Sequence, residues 1–318
     1  MKRLLERILP SFIWIFLIQC KKVLHLTMQR TFEFFGLNVA RRGDYYSPLP
    51  NRSSLKTNLE RWYKPSKLTG IKCNVDELKS SLSKMLLKYT DEYSQYPSYS
   101  EIQRKGFGRG FTSIDALTLY MIIRDRKPRL YIEIGSGIST YYANLAERKN
   151  NEEGYPISIK CFEPYPYKQL YSIPNIEIND TEVQNIDTSF FQQLKGNDIL
   201  FIDSTHILKI DGDVPYLYLE ILPELKKGVL IHIHDIPFPF NIPYPPELWI
   251  FKQTYPVFWN EAMFLQAFLC FNDKFKIVMS TPLIRYFDEG FLKRKIPIYE
   301  SVKQNPNTFS SMWIQKVA

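Results

Sequence analysis

Tyr131-Ile-Glu133-Ile-Gly135-Ser136-Gly137-Ile-Ser-Thr140 decides how the chain is read. An apolar run, residues 129–134, stops at two closely spaced glycines, and the helical stretch 140–148 follows. Glycine at such a turn lets the backbone approach a ligand closely, and the start of the next helix offers unpaired N–H groups. The turn therefore reads as the first strand–helix junction of an α/β sheet built to hold a nucleotide-like ligand.

The same alternation runs outward from it. Downstream, further strands are expected at 157–162, 176–178, 198–203 and 229–234, with a helix at 216–225 before the last of these. Upstream, 114–124 reads as a helix with Ser113 available as its cap, and Val75, Leu78, Leu82, Met85, Leu86 and Tyr89 give helical spacing over 75–93. Strands that are apolar throughout, separated by helices, imply a parallel sheet covered on both faces. Two last strands are expected at 275–280 and 283–287. Such sheets bind ligands at the carboxyl ends of their strands, which here carry Gly135–Gly137, Glu163, Asp203 and Asp235.

The glycine turn narrows the ligand. A dinucleotide site wants a third glycine where Thr140 stands, and Glu133 would face a pyrophosphate unfavourably. A carboxylate there suits a cofactor with a cationic amino-acid end, S-adenosylmethionine. Glu163, closing the second strand, is placed to accept from ribose hydroxyls. Asp203, His206, Asp211, Asp213, His232, His234 and Asp235 cluster at the ends of the fourth and fifth strands. His232 lies inside its strand and reads as a core histidine. His206, His234 and Asp235 could take a proton from an acceptor hydroxyl, since a neutral imidazole titrates near neutral pH. Asp203, His234 and Asp235 could instead hold a divalent cation, Mg²⁺ or, with the added histidine, Mn²⁺ or Zn²⁺.

Taken together, Y-I-E-I-G-S-G-I-S-T, F-I-D-S-T-H, Asp213, E-I-L-P-E-L-K-K-G-V and H-I-H-D-I resemble the class I S-adenosylmethionine-dependent methyltransferases, in particular a bacterial branch of unassigned substrate. The resemblance runs from about Tyr45 to about Ile277. It implies a Rossmann-like α/β fold, a mainly parallel seven-stranded sheet with helices on both faces. It also implies that Glu133, Gly135, Ser136 and Gly137 line the methionine end, Glu163 the ribose, and the stretch through Gln184 the adenine, with Asp203 beside the cofactor. In metal-dependent relatives the places of Asp203 and Asp235 bind Mg²⁺, whereas His234 departs from their pattern. The activity implied is methyl transfer to a hydroxyl of a small molecule or sugar. The aromatic, proline-rich stretch 237–246 is expected to wall the acceptor pocket, and Glu261 beside Trp259 is a candidate polar wall.

Composition bounds the rest. The chain has 318 residues with 45% hydrophobic and 23% charged, enough for a full core. Its net charge of +8 sits in residues 1–64, which hold 12 Lys/Arg against 4 Asp/Glu; the body is balanced, unlike a nucleic-acid enzyme. Cys20, Cys73, Cys161 and Cys270 lie far apart, which fits a reducing, cytoplasmic setting. Residues 1–70 read as a basic extension and linker, and 71–318 as the cofactor-binding domain. The apolar stretch 8–18, broken by Pro10 and Ser11, is too short to span a bilayer. It reads as a helical extension that packs on the body or a partner, as a shallow membrane-surface contact, or as a secretion signal lacking a cleavage site. Two rival classes stand beside the methyltransferase: a non-catalytic binding protein of the same fold, and an NAD-dependent oxidoreductase, disfavoured by Thr140 and Glu133.

Overall fold

The computed structural model describes residues 10–40, 44–108, 110–243, 245–296, 298–299 and 310–318. The basic start of the chain, residues 1–9, lies outside the described residues. The chain divides into two compact units, Met1–Leu59 and Glu60–Ala318. The first contains helix α1 (Ser11–Phe34) and the short helix α2 (Arg52–Thr57), which Asn51 caps by accepting from the N–H groups of Ser53 and Ser54. No described helix is long and apolar enough to cross a membrane.

The second unit opens with α3 (Val75–Tyr93). Asn74 caps it through the N–H groups of Asp76 and Glu77, and Leu78, Leu82, Met85, Leu86 and Tyr89 form its buried stripe. The short helix α4 (Tyr99–Arg104) follows, then α5 (Ser113–Arg126), whose cap is Thr112 in place of the expected Ser113: Thr112 accepts from Asp115 N–H. Alternation then runs through β1 (Leu130–Ile134), α6 (Ile138–Glu152), β2 (Ser158–Phe162), β3 (Ile176–Asn179) and β4 (Ile199–Ile202). Helix α7 (residues 213–224) is irregular, passing from an α turn through a π turn to a 3-10 turn. After it come β5 (Leu230–Ile233), α8 (Glu261–Leu269), β6 (Phe275–Ser280), α9 (Thr281–Lys295) and β7 (Met312–Lys316).

The seven strands form one sheet in the order β3-β2-β1-β4-β5-β7-β6. β1 to β5 pair in parallel, and β7 runs antiparallel between β5 and β6. Every residue of β1, β4 and β5 is buried, so both faces of the sheet centre are covered, as continuous apolar strands require. This is a Rossmann-like α/β fold, a mainly parallel seven-stranded sheet with one antiparallel strand.

One expected strand is wrong. Residues 283–287 lie within α9, because Ser280 accepts from Leu283 N–H as a cap and Pro282 occupies a first-turn position where its missing N–H costs nothing. The seventh strand is Met312–Lys316, with Trp313 wholly buried. The chain turns from β1 to β2 and β3 on one side, then returns to β4 on the other. The crevice at that reversal, above the ends of β1 and β4, is where a ligand fits.

Candidate active site

The β1–α6 turn is fixed by backbone contact. Gly135 has φ +81° and donates its N–H to Phe162 O (2.9 Å), while Asp203 donates to Ile134 O (2.9 Å). A Cβ on Gly135 would stand 1.9 Å from Asp203 O, so only glycine fits. Gly137 begins α6, donating to Thr140 Oγ1 (3.1 Å), and its Cα faces Phe107 O so closely that a Cβ would lie 3.0 Å away. A cavity opens over this turn, lined by Gly108, Phe111, Gly135–Ser139, Glu163, Tyr167 and Asp203.

Glu163 borders that cavity. Its Oε2 accepts from Ser136 N–H (3.2 Å) and its Oε1 from Tyr165 N–H (2.8 Å), which fixes the carboxylate and leaves further lone pairs on both oxygens. Gln184 lies outside the lining, in the turn Val183–Asn185, and donates to Glu182 (3.0 Å).

Glu133 does not line the methionine end as expected. Its side chain is fully buried, where it accepts from Ser139 Oγ (2.5 Å) and Thr140 Oγ1 (2.8 Å) and so ties the first turn of α6 to β1. Burial pushes its carboxyl up to about 8 against the pull of those hydroxyls. The acidic residues that line the cavity are Glu163 and Asp203. A carboxyl raised in the folded state holds a proton that the unfolded chain releases. Stability present below the ordinary carboxyl range is therefore lost as pH rises through about 8. Glu133→Gln is expected to remove that loss: its melting temperature should gain on the unaltered protein between pH 6 and 8.5, each pH unit being worth up to about 1.4 kcal/mol. Parallel melting curves at the two pH values check it.

Two further side chains, His206 and Asp235, converge on Asp203. Single donor atoms of Asp203, His206 and Asp235 lie within 4.8 Å of one another. His206 Nε2 stands 3.3 Å from Asp203 Oδ1 and 3.7 Å from Asp235 Oδ2. Its Nδ1 meets Glu261 Oε2 at 2.7 Å, and Glu261 Oε1 accepts from Tyr218 O–H (3.0 Å). His206 and Asp235 both have φ in the left-handed region, +60° and +53°, strain of order 1–3 kcal/mol that clusters at functional sites. Asp213 accepts from the N–H and hydroxyl of Thr205 and so pins the residue before His206. Trp259 packs on the His206 ring (4.5 Å between centroids) and on Trp249.

The electrostatics correct the expected neutral imidazole. Burial disfavours the charged ring of His206, but Asp203 and Glu261 outweigh it, and its pKa is pushed up to about 10. Burial would raise the Asp203 carboxyl; His234 and His206 instead hold it well below the usual carboxylate range.

His234, expected among the metal donors, stands behind the cluster. It is wholly buried, with Nε2 3.2 Å from Ser310 Oγ and 3.4 Å from Asp115 Oδ2, and Nδ1 3.4 Å from Asp203 Oδ1. Burial opposes its charge, yet Asp235 and Asp203 raise its pKa well above the ordinary value. It is thus a buried cation that steadies the two aspartates, and His206 takes its place in the converging trio. His232 is in the core, stacked on Phe201 and against Trp313, neutral because burial lowers its pKa, with neither ring nitrogen hydrogen-bonded. In the proline-rich stretch Phe238 is core as well, and Phe240 stacks on Tyr63.

Sequence reading missed Asp115, Ser310 and Ser311, whose side chains meet under His234, and the role of Tyr218. It also missed Gly108, Phe111 and Tyr167 in the cavity wall. The run Gly106–Gly110, with three glycines at positive φ, was the available signal.

The residues fit a nucleotide-like cofactor with a cationic end: an open helix start, a fixed ribose-type acceptor in Glu163 and an ionised Asp203 facing one cavity. The Asp203, His206 and Asp235 donors suit a divalent cation of the Mg²⁺ or Mn²⁺ kind.

Fold and site thus define an α/β protein with a cofactor crevice at the sheet's switch point and an acid–histidine cluster beside it. No family model matches the chain. An uncharacterized protein of Archaeoglobus fulgidus is 31% identical over 166 residues, covering 49% of this chain and 73% of that one. The chain belongs to the family of that protein. Among solved structures it is similar to the O-methyltransferase TomG from Streptomyces achromogenes, involved in tomaymycin synthesis and solved with SAM, at 10% identity and TM-score 0.40 over 84% of this chain and 96% of that one. It is also similar to the SAH-bound Podospora anserina methyltransferase PaMTH1, at 12% identity and TM-score 0.34 over 89% and 100% of the two chains.

Proposed function

We propose that the protein is an S-adenosylmethionine-dependent methyltransferase acting on a hydroxyl oxygen of a small molecule or sugar, with residues 71–318 as the catalytic domain. The observation that carries this reading is the adjacency of two devices on one sheet edge. Asp203 belongs both to the cavity over the Gly135–Gly137 turn and to the cluster with His206 and Asp235. When bound, the cofactor supplies an electrophilic methyl group.

The chain's own residues then have separate tasks. Glu163 accepts the ribose hydroxyls, and the open N–H groups at the start of α6 and the Asp203 carboxylate orient the amino-acid end. Tyr167 and Phe111 narrow the cavity and exclude water. His206 Nε2, between Asp203 and Asp235, is the atom that meets the acceptor hydroxyl, while Glu261 holds the ring by Nδ1. Because the ring is charged at neutral pH, it takes the acceptor's proton only after releasing its own to solvent, and the reaction is expected to speed up as pH rises toward about 10. A divalent cation would be held by Asp203, His206 and Asp235 and would lower the acceptor's pKa. Rate comes chiefly from holding donor and acceptor in line. The balanced charge of the body supports a small acceptor over a nucleic acid.

Calorimetric titration tests this directly. S-adenosylmethionine is expected to bind at micromolar concentration, about −8 kcal/mol, and NAD not to bind. Glu163→Ala should weaken binding about tenfold or more, the loss of a charge-assisted hydrogen-bond pair worth ~1.5–3 kcal/mol. Absence of S-adenosylmethionine binding sinks the proposal. Repeating the titration with and without Mg²⁺ tests the cation.

A further inference from the structure

Helix α1 is the 24-residue helix of the first unit. From Phe12 to Phe34 none of its residues is buried, and large apolar side chains stand open along it: Phe16 is 65% exposed, Val23 62%, Leu24 59% and Phe34 84%. At 3.6 residues per turn these four share one side with Leu17, Cys20 and Met28, while the polar Lys22, His25, Gln29 and Glu33 lie opposite together with the apolar Ile15, Ile18 and Leu26. Lys21 and Arg30 fall on the two borders of the apolar side, where long basic side chains can reach past a buried stripe.

Two further observations say what this side meets. Thr27 and Thr31 are the polar interruptions of the stripe. Both hydroxyls are turned inward, onto Val23 O (3.0 Å) and Thr27 O (2.9 Å), so neither needs water. The charge is also one-sided: from Arg7 through Phe32 the sequence has four basic residues and no Asp or Glu, in a segment that holds the chain's whole net positive charge. A protein partner or a second copy would be served by the apolar stripe alone. The basic borders, with Glu33 on the far side as the one acidic residue of the helix, complement an anionic surface.

We infer that α1 lies in the plane of a membrane, its Phe16–Leu24–Phe34 side in the boundary layer and the border residues Lys21 and Arg30 on anionic phospholipid headgroups. The reading is independent of the methyltransferase assignment. Its consequence is that the catalytic unit works beside a lipid surface, where lipid-linked or amphiphilic acceptors are concentrated.

Cosedimentation of the full-length protein with phosphatidylcholine vesicles, with and without phosphatidylglycerol, tests it at low and high salt. Binding to the anionic vesicles, reduced by salt, is expected. Lys21→Glu with Arg30→Glu should lower the partition coefficient at least about tenfold, and Leu24→Asp should lower it comparably by interrupting the stripe. Three results would overturn the inference: no sedimentation with either vesicle, equal binding to both, or anionic binding that Leu24→Asp leaves intact. A lipid-independent dimer that Leu24→Asp dissociates, with no vesicle binding, would assign α1 to a second copy instead. Circular dichroism of each variant confirms that the α/β unit remains folded.

Discussion

Gly135→Ala will destabilise the protein by more than about 4 kcal/mol and abolish cofactor binding, an effect in the exceptional range for one methyl group. Two costs add at this position. An alanine at φ +81° costs roughly 1–2 kcal/mol by itself. Its Cβ would also stand 1.9 Å from Asp203 O, a backbone atom that cannot swing aside. Asp203 N–H donates to Ile134 O and Gly135 N–H to Phe162 O, so relief would have to break the parallel pairing of β1 with a neighbour. Gly154→Ala separates the two terms. Gly154 has φ +85°, and nothing lies within 4 Å of its added Cβ, so it should lose only the conformational share. Thermal melting of both variants measures the difference, expected at roughly 5 °C or more in favour of Gly154→Ala at 2–4 °C per kcal/mol. Equal melting temperatures would mean that the β1–α6 turn can give.

The ends of β1, β2, β4 and β5 were legible because the continuous apolar runs stop there. Hence Gly135, Glu163, Asp203 and Asp235 could be placed before any coordinates. What failed has a common physical cause, the convergence of residues from remote parts of the chain. Residues 283–287 are a short, largely apolar segment that suits a strand by composition, but the Ser280 cap just before them starts a helix. Glu133 was read as facing the cofactor because it precedes the glycines, but strand side chains alternate. It points instead to Ser139 and Thr140 on the packed face of α6. His234 and His206 look interchangeable in sequence. Asp115 and Ser310, lying 119 and 76 residues from His234, draw one into the interior, and Glu261 holds the other at the site.

That last contact carries the second large expectation. Glu261→Gln keeps the shape of a side chain that is 1% exposed and can still accept from His206 Nδ1–H or from Tyr218 O–H, but it removes a negative charge 2.7 Å from the ring. The pKa of His206, now about 10, should fall toward its ordinary value, since Asp203 and Asp235 alone remain to oppose burial. A histidine raised in the folded state contributes stability that is complete below about pH 6.5 and lost as pH rises through about 10. In Glu261→Gln the contribution should be smaller and its loss, still starting near pH 6.5, should be complete at lower pH, where the imidazole resonance should titrate too. Glu261→Ala leaves a buried imidazolium without this partner and should cost about 3–5 kcal/mol of stability. Because Glu261 acts through His206, it is a positioning residue. With a ring free to turn and a different proton affinity, kcat should fall about 10²–10⁴-fold, the usual worth of a positioned acid–base group, with little change in KM for the cofactor. An unchanged imidazole titration with normal kcat would remove His206 from the proton path and leave the Asp203–Asp235 pair to carry it.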